Sequence, residues 1–146
     1  MNHLSSFLGE CVVGVLSTCH NDEIHSVPVY YFYRPSEKAF YFISKSKSQK
    51  IDLLKKNKSA AFVVYSETLP QTFTAQCRAE IVSLAKNDEQ SNEIIKKLAE
   101  VHSTREYYPS PLSSMKEGEL ILVRLEVLDY QYKSYVAGFE RTEKSA

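Results

Sequence analysis

Apolar and polar residues alternate along residues 73–81, where Phe73, Ala75, Cys77, Ala79 and Ile81 are interleaved with Thr74, Gln76, Arg78 and Glu80. A period of two belongs to a strand with one buried face, so QTFTAQCRAEIVSL (71–84) is the clearest strand in the chain. Other segments are apolar almost throughout. CVVGVLST (11–18) and SAAFVVYS (59–66) are rich in valine and alanine, and ELILVRLEVLDYQYKSYV (119–136) sets Ile121, Val123, Leu125 and Val127 on one side of a long final strand. IHSVPVYYFYR (24–34) and AFYFIS (39–44) are β-branched and aromatic, and the intervening residues join them as a hairpin with a turn of about five residues. Pro28 offers no N–H to a ladder, so its strand is expected at a sheet edge or at a bulge.

The pattern changes period in three places. HLSSFLGE (3–10) places Leu4, Phe7 and Leu8 on one helical face. NDEQSNEIIKKLAEVHS (87–103) repeats Ile94, Ile95, Leu98 and Val101 at helical spacing, with acids early and lysines late as the helix dipole favours. Between them, Ser46 and Gln49 have the spacing of a capping box, which predicts a helix from Ser46 through Ile51, Leu53 and Leu54 to about Asn57. Six strands result, with one helix after the third and another after the fifth. Mostly short connections favour a mainly β fold with flanking helices, a closed or nearly closed antiparallel barrel, over a parallel sheet with regularly alternating helices.

Composition narrows the classes. A length of 146 residues, 43% hydrophobic, suits a single domain over 1–146. Eighteen basic and eighteen acidic residues cancel, so no global field draws nucleic acid or an anionic membrane. No apolar run approaches the ~18 residues of a membrane span and no basic region precedes the first apolar run, so a soluble, cytoplasmic protein is expected. Cys11, Cys19 and Cys77 lack metal-site spacing and are expected to be reduced and mostly buried. His20 and His25, with Asp22 and Glu23, read as a polar turn rather than a metal site, and His102 as a helix-end cation. No GxSxG elbow or GxxxxGK loop occurs, and no side chain stands out as a catalytic acid or base.

The segment SKSKSQK (44–50) is where local chemistry concentrates. On the predicted boundaries Lys47 and Lys50 fall in the first helical turn, where the dipole disfavours cations. Free N–H groups, serine hydroxyls and ammonium groups together suit a phosphate. On the residues alone, solvated lysines on an exposed turn remain the simpler reading, each costing about 0.3–1 kcal/mol.

The order of these motifs resembles the pyridoxamine 5′-phosphate oxidase-like, FMN-binding split-barrel family over roughly residues 7–130. The features that carry the resemblance are VPVYY on the second strand, Ser44 ending the third, Ser48, Gln49 and Lys50 opening the helix, then Leu53 and Asn57, and later CRAE. It implies a six-stranded antiparallel split barrel with FMN as cofactor. Pro28, Val29 and Tyr30 would line the flavin ring, while Ser44, Ser48, Gln49 and Lys50 would hold its phosphate and ribityl tail. It further implies a homodimer with flavin at the interface, consistent with an aromatic strand bearing Tyr30, Tyr31 and Tyr33. Relatives often carry Arg-Lys where this chain has Gln49-Lys50, and a glycine where it has Cys77. The Arg- and His-bearing C-terminal segment of true pyridoxamine phosphate oxidases is missing. Tyr107 and Tyr108, or YVAGFE (135–140), are candidates to cover a ligand.

Three functions follow. The first is an FMN-dependent oxidoreductase passing a hydride or electrons from a nicotinamide to a small acceptor. The second is a flavin- or haem-binding dimer without turnover. The third is an interaction module that has lost its cofactor.

Overall fold

The computed structural model describes residues 3–68, 70–83, 89–102, 120–135 and 141–144. Among these described residues are eight strands and three helices: α1 (His3–Glu10), β1 (Val13–His20), β2 (Glu23–Tyr30), β3 (Phe32–Arg34), β4 (Ala39–Lys45), α2 (Gln49–Lys56), β5 (Ser59–Ser66), β6 (Gln71–Ser83), α3 (Glu89–His102), β7 (Leu120–Ser134) and β8 (Arg141–Lys144). All pairings are antiparallel, in the order β2-β1-β5-β6-β7-β4-β3, with β8 added to β7.

The count exceeds the expected six for two reasons. A short β8 follows the long last strand, and the single strand expected over residues 24–34 is two strands that meet at Tyr31. β2 pairs only with β1, whereas β3 pairs only with β4. These two edges of the sheet are therefore successive residues of one chain, which curls the sheet into a barrel. Pro28 does lie on an edge strand, opposite Val15.

Tyr31 fixes the crossing point. Its N–H bonds to the Val12 carbonyl at 3.0 Å, and its buried hydroxyl donates to the Leu8 carbonyl at 2.9 Å. Its ring meets Phe40 and Phe62 edge-on, at 5.1 and 5.7 Å between centroids. Burial raises its pKa well above the ordinary tyrosine value, so the phenol remains a donor.

The interior is filled by Leu16, Tyr31, Phe40, Phe42, Phe62, Val64, Phe73, Val123 and Leu125, with α1 supplying Leu4, Phe7 and Leu8 and α2 supplying Ile51 and Leu54. A second cluster, Ala39, Tyr41 and Leu122 with Ile94 and Leu98 of α3, covers the outer face of β4 and β7. Burial on both faces explains why AFYFI is apolar without interruption.

Two residues tune the packing. A Cβ on Gly14 would lie 2.3 Å from the Phe62 ring. Between Gln76 and Cys77 the β6–β7 register shifts, leaving Leu128 of β7 unpaired and 57% exposed. That bulge sits at Cys77. Cys77 is buried, and burial pushes its thiol up to about 12. Cys11 is half-buried and Cys19 exposed, so the expectation of mostly buried thiols holds in full only for Cys77.

The candidate flavin site at the split of the barrel

β3 stops pairing with β4 at Phe32 opposite Tyr41, so Phe42–Lys45 has a neighbour, β7, on one side only. β2 is likewise paired on one side only. The split of the barrel is bounded by these open edges, and α2 follows directly from the end of β4 and packs against β1 and β2.

Ser44 shares the inward side of β4 with Phe40 and Phe42 and is 5% exposed. Its Oγ lies 3.1 Å from the Lys45 carbonyl and 3.0 Å from Ser48 Oγ, and Ser48 Oγ lies 3.0 Å from the same carbonyl. The Ser48 N–H also reaches that carbonyl, at 3.2 Å. Two hydroxyl rotors thus converge on one acceptor, and either can turn its proton to another oxygen at small cost.

The expected helix start is corrected by this turn. Ser48, not Ser46, is the N-cap, in an extended conformation (φ −73°, ψ 158°), and its side chain makes no capping bond. The serines bond backward to Lys45 rather than forward into the helix. Lys47 therefore precedes α2, and only Lys50 lies in its first turn, whose N–H groups have no side-chain cap.

Lys50 is half-buried, and its pKa is lowered from the ordinary lysine value, first by burial and then by the nearby Lys45 charge. No ion pair among the described residues includes Lys45, Lys47 or Lys50. Asp52 in the same turn pairs with Lys56 instead, at 3.6 Å. Ammonium groups, hydroxyls and uncapped N–H groups form a donor set that fits a phosphate, with the carboxylates of Asp52 and Glu23 engaged by Lys56 and Gln49.

Gln49 points elsewhere: its Nε2 donates to Glu23 Oε2 at 3.0 Å. At the other end of α2, Asn57 Nδ2 donates to the Cys19 carbonyl at 2.9 Å, and Asn57 Oδ1 accepts from the Ser59 N–H at 3.1 Å. Asn57 thus fastens α2 to the β1–β2 hairpin. Glu23 was not foreseen in any such role, since only the fold brings it to residue 49.

The structure brings Ser44, Ser48, Gln49 and Lys50 together at one end of the split. Pro28, Val29 and Tyr30 stand on β2, the other lip, nearer Tyr31. Val29 is buried in the core, whereas Pro28 is exposed and Tyr30 half-buried. Pro28 is five residues from Glu23, about 17 Å along an extended strand. A molecule with an anionic tail at one end and a flat body at the other spans such a distance.

Sequence reading also missed a polar cluster under α3. Glu37 accepts from Tyr41 at 2.6 Å, Arg34 at 2.8 Å and Arg124 at 3.1 Å. Burial alone would raise its pKa, but these three donors outweigh it and hold the carboxyl below its ordinary value. Arg34 further reaches Glu93 of α3 at 3.5 Å. This cluster is on the outer face, remote in the topology from the split.

His20 and His25 occur on the β1–β2 hairpin, and among the described residues no group of His, Cys, Asp and Glu is placed to hold a metal ion. No helix among them is long and apolar enough to cross a membrane. Tyr107, Tyr108, residues 136–140 and the side chain of His102 lie outside the described residues.

Solved structures share the fold. An FAD-binding protein from Mesorhizobium loti is 18% identical with a TM-score of 0.67, over 90% of this chain and 94% of that one. A pyridoxamine 5′-phosphate oxidase-related, FMN-binding protein from Nostoc punctiforme is 10% identical with a TM-score of 0.61, over 92% and 86%. HutZ, the haem storage protein from Vibrio cholerae, is 12% identical with a TM-score of 0.64, over 86% and 87%. Comparison with curated proteins finds no match. The family model described as pyridoxamine 5′-phosphate oxidase matches residues 2–132, and with this extent of match the chain belongs to the pyridoxamine 5′-phosphate oxidase-like family of FMN-binding split barrels.

Proposed function

We propose that the chain is an FMN-binding flavoprotein that acts as a homodimer and passes a hydride or electrons between a nicotinamide and a small acceptor. The observation that carries the flavin reading is Lys50, a half-buried cation with no carboxylate partner among the described residues, beside the Ser44 and Ser48 hydroxyls and the uncapped start of α2. An anion there would offset the cost of burying the ammonium and give the two serines a shared acceptor.

In this reading Lys50 supplies charge, Ser44 and Ser48 orient the phosphate, and the open backbone edge at Pro28, Val29 and Tyr30 receives the ring. The redox chemistry belongs to the flavin when bound. The protein's share is to anchor the tail, present backbone hydrogen bonds and shape the cavity around the ring.

The dimer reading is supported by the outer face of β2-β1-β5-β6. Val13, Ile24 and Tyr65 are exposed there at 39%, 74% and 62%. Beside them a cleft of about 410 Å³ has a floor of small residues including Ser17, Cys19 and Ala61, walled by Ile24 and Leu128. An apolar surface of this kind favours burial against a second copy.

The test is a titration of the purified protein with FMN, followed by flavin absorption and fluorescence. Micromolar binding, weakened on the order of tenfold to hundredfold in Lys50→Ala, is the expected result. No binding would remove the flavin reading. Reduction of the bound flavin by NADH or NADPH and reoxidation by an added acceptor would then separate an oxidoreductase from a binding protein. The haem reading draws on the fold shared with HutZ, and haem titration of the same sample is its test.

A further inference from the structure

The β1–β2 hairpin is fastened to both ends of α2, but the two fastenings differ in charge. Asn57 binds a neutral carbonyl, that of Cys19. Gln49 binds the carboxylate of Glu23 at 3.0 Å. Gln49 is the first residue of α2, lying between Ser48 and Lys50, so this bond delivers a negative charge to the end of the helix that is otherwise arranged for an anion.

An amide donor satisfies a carboxylate's hydrogen bond without cancelling its charge. Glu23 is exposed, and no ion pair among the described residues includes it. A cation at position 49 would neutralise Glu23, whereas glutamine holds it in place with the charge intact. Within range of one side chain, that charge opposes a phosphate while leaving an uncharged ribityl tail unaffected.

We infer that Glu23, held by Gln49, is a specificity-determining residue: it weakens the grip on the doubly charged phosphate of FMN and narrows the preference for FMN over riboflavin. This rests on the flavin reading above. The competing role is mechanical, in which Glu23 serves only to position α2.

The two roles separate because Glu23→Gln keeps an acceptor for Gln49 and removes the charge. Affinities for FMN and for riboflavin would be measured by fluorescence titration on the wild type, Glu23→Gln and Gln49→Arg, at low and high salt. The expected result in Glu23→Gln is FMN affinity raised about three- to tenfold with riboflavin unchanged, the gain shrinking in high salt. Gln49→Arg should shift the same ratio in the same direction. An unchanged FMN-to-riboflavin ratio in Glu23→Gln, in a protein whose FMN binding depends on Lys50, overturns this inference and leaves the flavin reading standing. Binding of neither flavin to any of the three proteins overturns both.

Discussion

Lys50 illustrates a residue whose placement opposes stability and suits binding. Its lowered pKa means the unfolded chain holds that proton more tightly than the folded one. The cost is present in full below the folded value and disappears as pH rises through the ordinary lysine range. Lys50→Met is therefore expected to be as stable as the wild type or about 0.5–1 kcal/mol more stable without ligand, and to lose most of the thermal shift that FMN gives; differential scanning fluorimetry reads both. FMN affinity should fall with rising pH earlier than an ordinary lysine would dictate, and Lys50→Arg should flatten that profile. Gly14 is the opposite case, a residue fixed by packing alone. The Phe62 ring over it is boxed by Tyr31 and Phe40, so Gly14→Ala is expected to cost about 1–3 kcal/mol in a urea melt. Nothing in CVVGVLST singled this glycine out, because its neighbour across the sheet is 48 residues away in sequence.

At the scale of elements, the period-two and period-3.6 patterns located every strand and helix that carries a regular buried face. They misplaced boundaries where the chain changes partner without changing composition. VPVYYFYR has no glycine to mark where β2 gives way to β3, and the switch is made instead by long-range contacts of Tyr31 with Leu8, Phe40 and Phe62. The capping-box spacing points to Ser46 as the N-cap, but the backward bonds of Ser44 and Ser48 to Lys45 make Ser48 the N-cap of α2. The phosphate-like donor set was legible because its members are local; the Gln49–Glu23 bond was not, since it crosses from α2 to the hairpin tip. Tyr31→Phe should leave the Leu8 carbonyl without its buried donor and cost about 1–3 kcal/mol. Faster amide exchange in α1, with α2 unaffected, is the expected signature.

On the scale of the whole molecule, the outer apolar face bears on assembly. Ile24→Lys combined with Tyr65→Asp is expected to move the protein from dimer to monomer in analytical ultracentrifugation and, if the ring sits at the interface, to lower flavin retention. A monomeric wild type would remove the dimer reading while leaving the phosphate site to be tested alone. Two charges of opposite sign keep the variant's net charge unchanged, so any dissociation would reflect lost apolar contact rather than overall repulsion. The continuity of β2 and β3 through Tyr31 has mechanical meaning. β2, laddered to β1 along one edge and open along the other, is an arm about 26 Å long whose pivot is the end where Tyr31 is pinned to α1, and it can swing only together with β1. A rotation of about 5° at that pivot would displace the hairpin tip by about 2 Å, and because the tip is fastened to both ends of α2, the helix would be carried with it.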